Sequence, residues 1–317
     1  MRRWEESYLK YVRLFRLKTT LIYLFPFVLA LSVGLEQVKY GVARPIPPSL
    51  ILFSKPLWVT VLLAYLSYCS MSFFSSTLNC YVDVPADIVH DNMFKDQHIS
   101  KQPFVTGEMS RLETVLTFLL TGIGCIVFPI LVNLRFAVFM IGVVLVLGIL
   151  YSHPWFRFKE KPVMDVLTNA TAAVLLLFTG MSVMSIDFPP VQPTIFGALL
   201  AATMYLPSVA NDAPFDEIAG YRTSGVVFGQ KRLIQAMIPL SIALIPLGLW
   251  VVLSRNINWQ YKLFDGIAVF AAIGLTTMCL LLYRPPHIEL NPLIIVGPIA
   301  ALDLFYIVLG IYRVVTW

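Results

Sequence analysis

Two stretches of this 317-residue sequence carry oxygen donors at a spacing that suits a hard cation. Asn79, Asp83 and Asp87 recur every four residues. On a helix that interval keeps them near one face, each step rising ~6 Å along the axis. A second row, Asp212 and Asp216, repeats the pattern: Asp83 to Asp87 and Asp212 to Asp216 both read D-x-P-x-D, with Pro85 and Pro214 at the centre. Like charges held close to a bilayer repel and resist ionisation unless a partner neutralises them. Mg2+ together with a substrate diphosphate is a natural partner for such acidic oxygens. Proline qualifies the geometry: Pro85 and Pro214 cannot donate to the carbonyls of Tyr81 and Ala210, so each helix is expected to kink, unwind or begin a new turn there. Acidic residues capping solvated helix ends would account for one such cluster; two of the same pattern make that account weaker.

The elements that must position these residues are membrane spans. Hydrophobic residues make up 58% of the chain and charged ones 13%, where a soluble domain carries about 25% charged residues. Apolar runs between charged or Pro/Gly-rich breaks predict nine spans, near 19–36, 56–80, 112–132, 135–152, 164–186, 193–211, 234–253, 265–283 and 291–312. With nine spans every second connection shares a side with the N-terminus, and that side collects 16 of the 23 Lys and Arg residues as well as both aspartate motifs. The positive-inside rule then places the N-terminus and the 83–111, 153–163 and 212–233 loops in the cytoplasm. Residues 1–18 interleave Trp4, Tyr8, Leu9, Tyr11 and Phe15 with six bases and read as an interfacial amphipathic segment rather than a cleaved signal. The rest is read as one domain, 1–317 in all. The net charge of +5 needs no nucleic-acid partner, because juxtamembrane bases facing anionic lipid heads explain it. Cys69, Cys125 and Cys279 lie in apolar runs and Cys80 beside the first motif; no disulfide is expected.

The wider motif context is specific. Asn79, Asp83 and Asp87 follow the second span, and Asp212 and Asp216 are followed by Gly220, Arg222, Thr223 and the Phe228–Gly229 pair. With the Tyr151–Lys159 stretch after the fourth span, this pattern resembles the UbiA superfamily of intramembrane prenyltransferases. The resemblance implies an all-α membrane protein of about nine transmembrane helices around a central cavity. It implies that Asn79, Asp83, Asp212 and Asp216 hold Mg2+, that Asp87 assists them, and that the substrate is an isoprenyl diphosphate. Arg157, Lys159 and Arg222, with Lys101 and Tyr151, are the candidates for binding the diphosphate; the alternative for each base is an ordinary snorkelling side chain. Two positions depart from the family pattern, which has aspartate where this chain has Cys80 and an Arg-Pro pair where it has Gln102 and Pro103. The loop before Gln102 adds His90, Asp91, Asp96 and His98, read as a solvated loop or a lid.

The resemblance implies transfer of the prenyl group to a lipophilic acceptor, aromatic or isoprenoid. The superfamily also contains membrane terpene cyclases, in which the donor's own double bond captures the cation, and the departures at Cys80 and Gln102 leave that alternative open. A secondary transporter built on paired Pro-broken helices is a third reading, although such sites lie near the membrane midplane and these motifs lie at span ends.

Overall fold

The computed structural model describes residues 9–85, 87, 88 and 102–254, with scattered positions between 266 and 274. The expected spans at 265–283 and 291–312, Lys101, and the histidines and aspartates of the 90–98 loop therefore lie outside the described residues, apart from those positions near 270. Among the described residues the architecture is all-helical. In chain order it comprises α1 (Leu17–Lys39), α2 (Leu57–Val82), α3 (Arg111–Val132), α4 (Leu134–Val143), α5 (Met164–Met181), α6 (Val191–Ile218), the short α7 (Ser224–Phe228) and α8 (Gln230–Ser254). Five of them, α2, α3, α5, α6 and α8, are long and apolar enough to cross a membrane. Their exposed faces carry Leu, Ile, Val and Trp, such as Val115, Leu120, Ile123, Trp250 and Leu253.

Sequential helices pack as neighbours from α2 through α6, with α8 returning against α6 and α1 lying along α5. The largest apolar core joins α1 through Phe27, Leu31 and Leu35 to Tyr68 and Met71 of α2, Phe136 and Met140 of α4 and Leu176 of α5. Lipid supplies no hydrophobic drive between helices, so close approach at small residues matters. At Gly180 of α5 an added Cβ would lie 2.3 Å from the Phe27 carbonyl oxygen of α1. The two backbones are nearly in contact there, and only glycine fits.

Three local features set up the functional end of the bundle. Helix α2 stops at Val82, with Asp83 as its C-cap, and a fresh turn carries Asp87, whose N–H donates to the Asp83 carbonyl. The break expected at Pro85 is thus present. Helix α6 behaves differently: it continues through Pro207 and Pro214 to Ile218, because packing against α5, α7 and α8 holds the backbone on course despite the lost donors. Helix α4 passes into a π-helical segment, Val144–Leu150, immediately before Tyr151 and Ser152; the wider turn re-aims the residues that follow it, as π segments at functional sites do.

The segment before α1 is helical at 9–14 and is tied to the start of α3. Lys10 Nζ lies 2.6 Å from Glu113 Oε1, and Arg13 pairs with Glu108. Glu113 also completes a capping box with Ser110. Arg16 then takes a left-handed backbone, φ 46°, that turns the chain into α1. A non-glycine residue in this region is uncommon and is held there by its surroundings.

Gly180→Ala is expected to lower thermal stability in detergent by an overpacking penalty of about 1–3 kcal/mol. Gly122→Ala, whose added Cβ would meet only the Phe74 ring at 3.6 Å, serves as the control. Equal melting temperatures for the two variants would contradict the close α1–α5 approach.

Candidate active site

The break after Val82 and the uninterrupted α6 bring the two aspartate motifs to the same end of the bundle. Asp83 is nearly enclosed, with 13% of its side chain exposed, and its Oδ1 receives the Lys159 ammonium in a short ion pair, with Arg157 Nη2 at 3.9 Å. Lys159 sits on a single 3-10 turn, Phe158–Glu160, that follows Arg157 in a left-handed backbone conformation. Burial pulls the Lys159 pKa below its usual value, and Asp83 pulls against that shift. Arg157 is held on three sides. It pairs with Glu160, donates to the Tyr221 hydroxyl at 3.1 Å and lies over the Tyr221 ring, 5.2 Å from its centroid. The loop after α4 thus delivers two cations onto the first motif.

The second motif is built from α6 and the turn after it. Asp216 Oδ2 accepts from the Thr223 hydroxyl at 2.9 Å, and Tyr221 N–H donates to the Asp216 carbonyl at 2.8 Å. Asp212, one turn earlier, is bonded by Ser208 and feels Asp216 and Asp87 as neighbouring charges. Its side chain is exposed.

Asn79 turns its amide toward Ser152, donating from Nδ2 at 3.2 Å, which leaves Asn79 Oδ1 buried with no hydrogen-bond partner. Tyr151 and Tyr205 join α4's end to α6 through a 2.7 Å contact between their hydroxyls. Tyr151 is within electrostatic reach of Asp83 and Asp212. The π segment therefore places Tyr151 and Ser152 against both motifs.

Arg16 is the functional-site residue that sequence reasoning missed. In sequence it is one of six bases of the amphipathic segment, but its left-handed turn carries the guanidinium into the cluster. There it contacts the Cys80 thiol and lies within electrostatic reach of Asp83, Asp87 and Asp212. Cys80 is fully buried, its Sγ donating to the Leu14 carbonyl at 3.6 Å, and Gln102 lies beside it. The two departures from the family pattern, Cys80 and Gln102, consequently touch one another. Arg222, by contrast, is exposed, and among the described residues no hydrogen bond or ion pair links it to either motif.

The donor set suits a hard divalent cation shared with a phosphorylated ligand. Asn79 Oδ1 is an orphaned buried oxygen, the described bonds to Asp83 fall on Oδ1 and the described bond to the Asp216 carboxylate falls on Oδ2, so each motif retains oxygen capacity. Among the described residues no three carboxylate, imidazole or thiolate groups converge on one point. Mg2+ is usually held by one or two carboxylates and completed by substrate phosphates rather than by a protein cage.

The chain is similar along nearly its whole length to solved structures of a UbiA homologue from Archaeoglobus fulgidus. The form of that homologue bound to DMAPP and Mg2+ is 28% identical, with 97% of this chain and 100% of that one covered and a TM-score of 0.79. The form bound to GPP and Mg2+ is likewise 28% identical, covering 96% of this chain and 99% of that one, at a TM-score of 0.78. A UbiA homologue from Aeropyrum pernix K1, 13% identical over 91% of this chain and 96% of that one, shares the fold at a TM-score of 0.65. No curated protein sequence matches. The profile of the UbiA prenyltransferase family matches residues 49–289, a stretch that contains both aspartate motifs and the basic turn between them, and the chain belongs to that family.

Proposed function

We propose that this protein is a Mg2+-dependent integral membrane prenyltransferase, acting on an isoprenyl diphosphate and a lipophilic acceptor. The observation that carries the reading is the meeting of two aspartate rows with unspent oxygens and the cations Arg16, Arg157 and Lys159 at one end of the bundle. It is supported by the Archaeoglobus fulgidus homologue, which binds DMAPP or GPP with Mg2+. The reading treats the chain as one domain with the N-terminus and the site on the cytoplasmic side, where the excess of Lys and Arg lies.

In this reading Asn79, Asp83, Asp212 and Asp216 hold Mg2+, which when bound neutralises charge building on the departing diphosphate. Lys159, Arg157 and Arg16 supply N–H donors to the same phosphate oxygens. Asp87 balances Arg16. The allylic C–O bond breaks with its electron pair leaving on the diphosphate. The π electrons of the acceptor then form the new C–C bond, and a proton leaves the acceptor. The Tyr151–Tyr205 pair, joined through its hydroxyls within electrostatic reach of Asp83 and Asp212, supplies aromatic groups that stabilise the developing cation in this reading. Lys159, released from Asp83 as the diphosphate arrives, exchanges one anionic partner for another without moving far.

Incubating the nanodisc-embedded protein with Mg2+ and geranyl, farnesyl or geranylgeranyl diphosphate, without acceptor, separates transfer from cyclisation. Donor that stays largely intact until an aromatic or isoprenoid lipid is added supports transfer, whereas a cyclic terpene formed without acceptor would replace it by a cyclase. Asp83→Ala and Asp212→Ala are each expected to lower turnover at least about a hundredfold while leaving the protein folded; near-normal turnover in either would remove that residue from the site. Arg16→Ala is expected to raise KM for the diphosphate more than Arg222→Ala does, and the reverse order would return Arg16 to a purely architectural role.

A further inference from the structure

One buried carboxylate lies outside both aspartate motifs, is bonded directly to one of the two loops that serve them and is linked through Ser224 to the other. Asp165, in the first turn of α5, is completely buried. Its Oδ2 accepts the Ser224 N–H at 2.9 Å, and its Oδ1 accepts the Ser224 hydroxyl at 2.7 Å and the Val166 N–H at 2.8 Å. A buried carboxylate with no cationic partner is costly unless its lone pairs are filled. Here three donors fill them, and the positive end of α5 lies under the charge.

The bonds continue in two directions from Ser224. The hydroxyl that donates to Asp165 also accepts the Val163 N–H at 2.7 Å. Val163 has φ 70°, a left-handed backbone that a β-branched side chain strongly disfavours and that persists only when its surroundings impose it. Val163 ends the loop whose 3-10 turn presents Lys159 to Asp83. On the other side, the residue preceding Ser224 is Thr223, whose hydroxyl holds Asp216 Oδ2. The residue following it is Gly225, which presses on α6 so closely that an added Cβ would lie 2.3 Å from the Val209 carbonyl oxygen. Ser224 is thus pinned from above by Asp165 and from below by α6.

We propose that Asp165 is a positioning residue that sets the spacing between the two diphosphate-binding halves of the site. It acts through Ser224 and Thr223 on Asp216, and through Ser224 and Val163 on the turn bearing Lys159. It touches no substrate. Removing it frees the 219–229 segment from the 157–163 loop, so the oxygens of Asp216 and the ammonium of Lys159 no longer keep a fixed separation. The consequence for binding rests on the functional reading given above; the consequence for loop order does not.

Asp165→Ala, Asp165→Asn, Ser224→Ala and the Asp165→Ala/Ser224→Ala double variant, each in nanodiscs, test this with two readouts. Titration with inorganic diphosphate in excess Mg2+ is expected to show affinity reduced about 10- to 100-fold in Asp165→Ala, the range for outer residues that orient metal ligands. Asp165→Asn retains an acceptor for the Ser224 N–H and should recover part of the loss. The double variant should bind no worse than Asp165→Ala alone, because both changes cut one chain of bonds. Amide hydrogen exchange, measured without ligand, should accelerate locally at 221–229 in Asp165→Ala and Ser224→Ala. Wild-type affinity in Asp165→Ala overturns the proposal, as does faster exchange without loss of affinity, which leaves Asp165 a merely structural group. If the wild-type protein itself binds no diphosphate with Mg2+, the functional reading fails, and the exchange measurement alone decides whether Asp165 fixes the loop.

Discussion

Mutual repulsion among carboxylates at the end of a membrane bundle is the constraint that the other features of this structure answer. Asp83, Asp87, Asp212 and Asp216 lie close enough to feel one another, and around the nearly enclosed Asp83 water screens charge poorly. Each answer comes from a different part of the chain: Lys159 and Arg157 from the loop after α4, Arg16 from the turn before α1, Thr223 from the turn after α6. The backbone conformations that deliver these groups are the unfavourable ones. Arg16, Arg157 and Val163 are the non-glycine residues at positive φ among those described, and all three lie on segments that feed the site. Strain gathers where the surrounding contacts dictate the chain's path.

The same arrangement suits anion binding in combination with a cation. Asp83 already holds an ammonium, and Asp216 already holds a hydroxyl proton, so these groups are oriented before any ligand arrives. Little reorganisation is then required when a diphosphate and its counter-ion enter, which is the condition under which fixed charges are most effective in catalysis.

How much of this was legible in the sequence differed by the kind of signal. Apolar run length located the spans 56–80 and 112–132, which correspond to Leu57–Val82 and Arg111–Val132, because a bilayer imposes that length directly, whereas the expected 193–211 span runs on to Ile218. The four-residue repeat of Asn79, Asp83 and Asp87 was legible for a similar reason, spacing being a local property. Pro85 and Pro214 looked equivalent in sequence yet behave differently, since only the tertiary packing of α6 distinguishes a tolerated proline from a helix end. Arg16 was one base among six, and nothing in composition announces a left-handed turn. The π segment at 144–150 is a run of Val, Leu, Ile and Gly with no local mark of its extra residue. Asp165 stood apart from both motifs, and its link to them runs through Ser224, 59 residues away in the chain.

The central claim is that the site breaks the allylic C–O bond of a prenyl diphosphate with the aid of Mg2+. Geranyl diphosphate carrying oxygen-18 in the bridge between carbon and phosphorus tests it most directly. After incubation with the nanodisc-embedded protein and a lipophilic acceptor, the label is located by mass spectrometry. The account predicts that the label leaves with inorganic diphosphate, in the presence of Mg2+ and not after its chelation. Label retained on a prenyl alcohol would mean attack at phosphorus, and donor left intact under every condition would mean no ionisation; either result contradicts the assignment of the aspartate motifs.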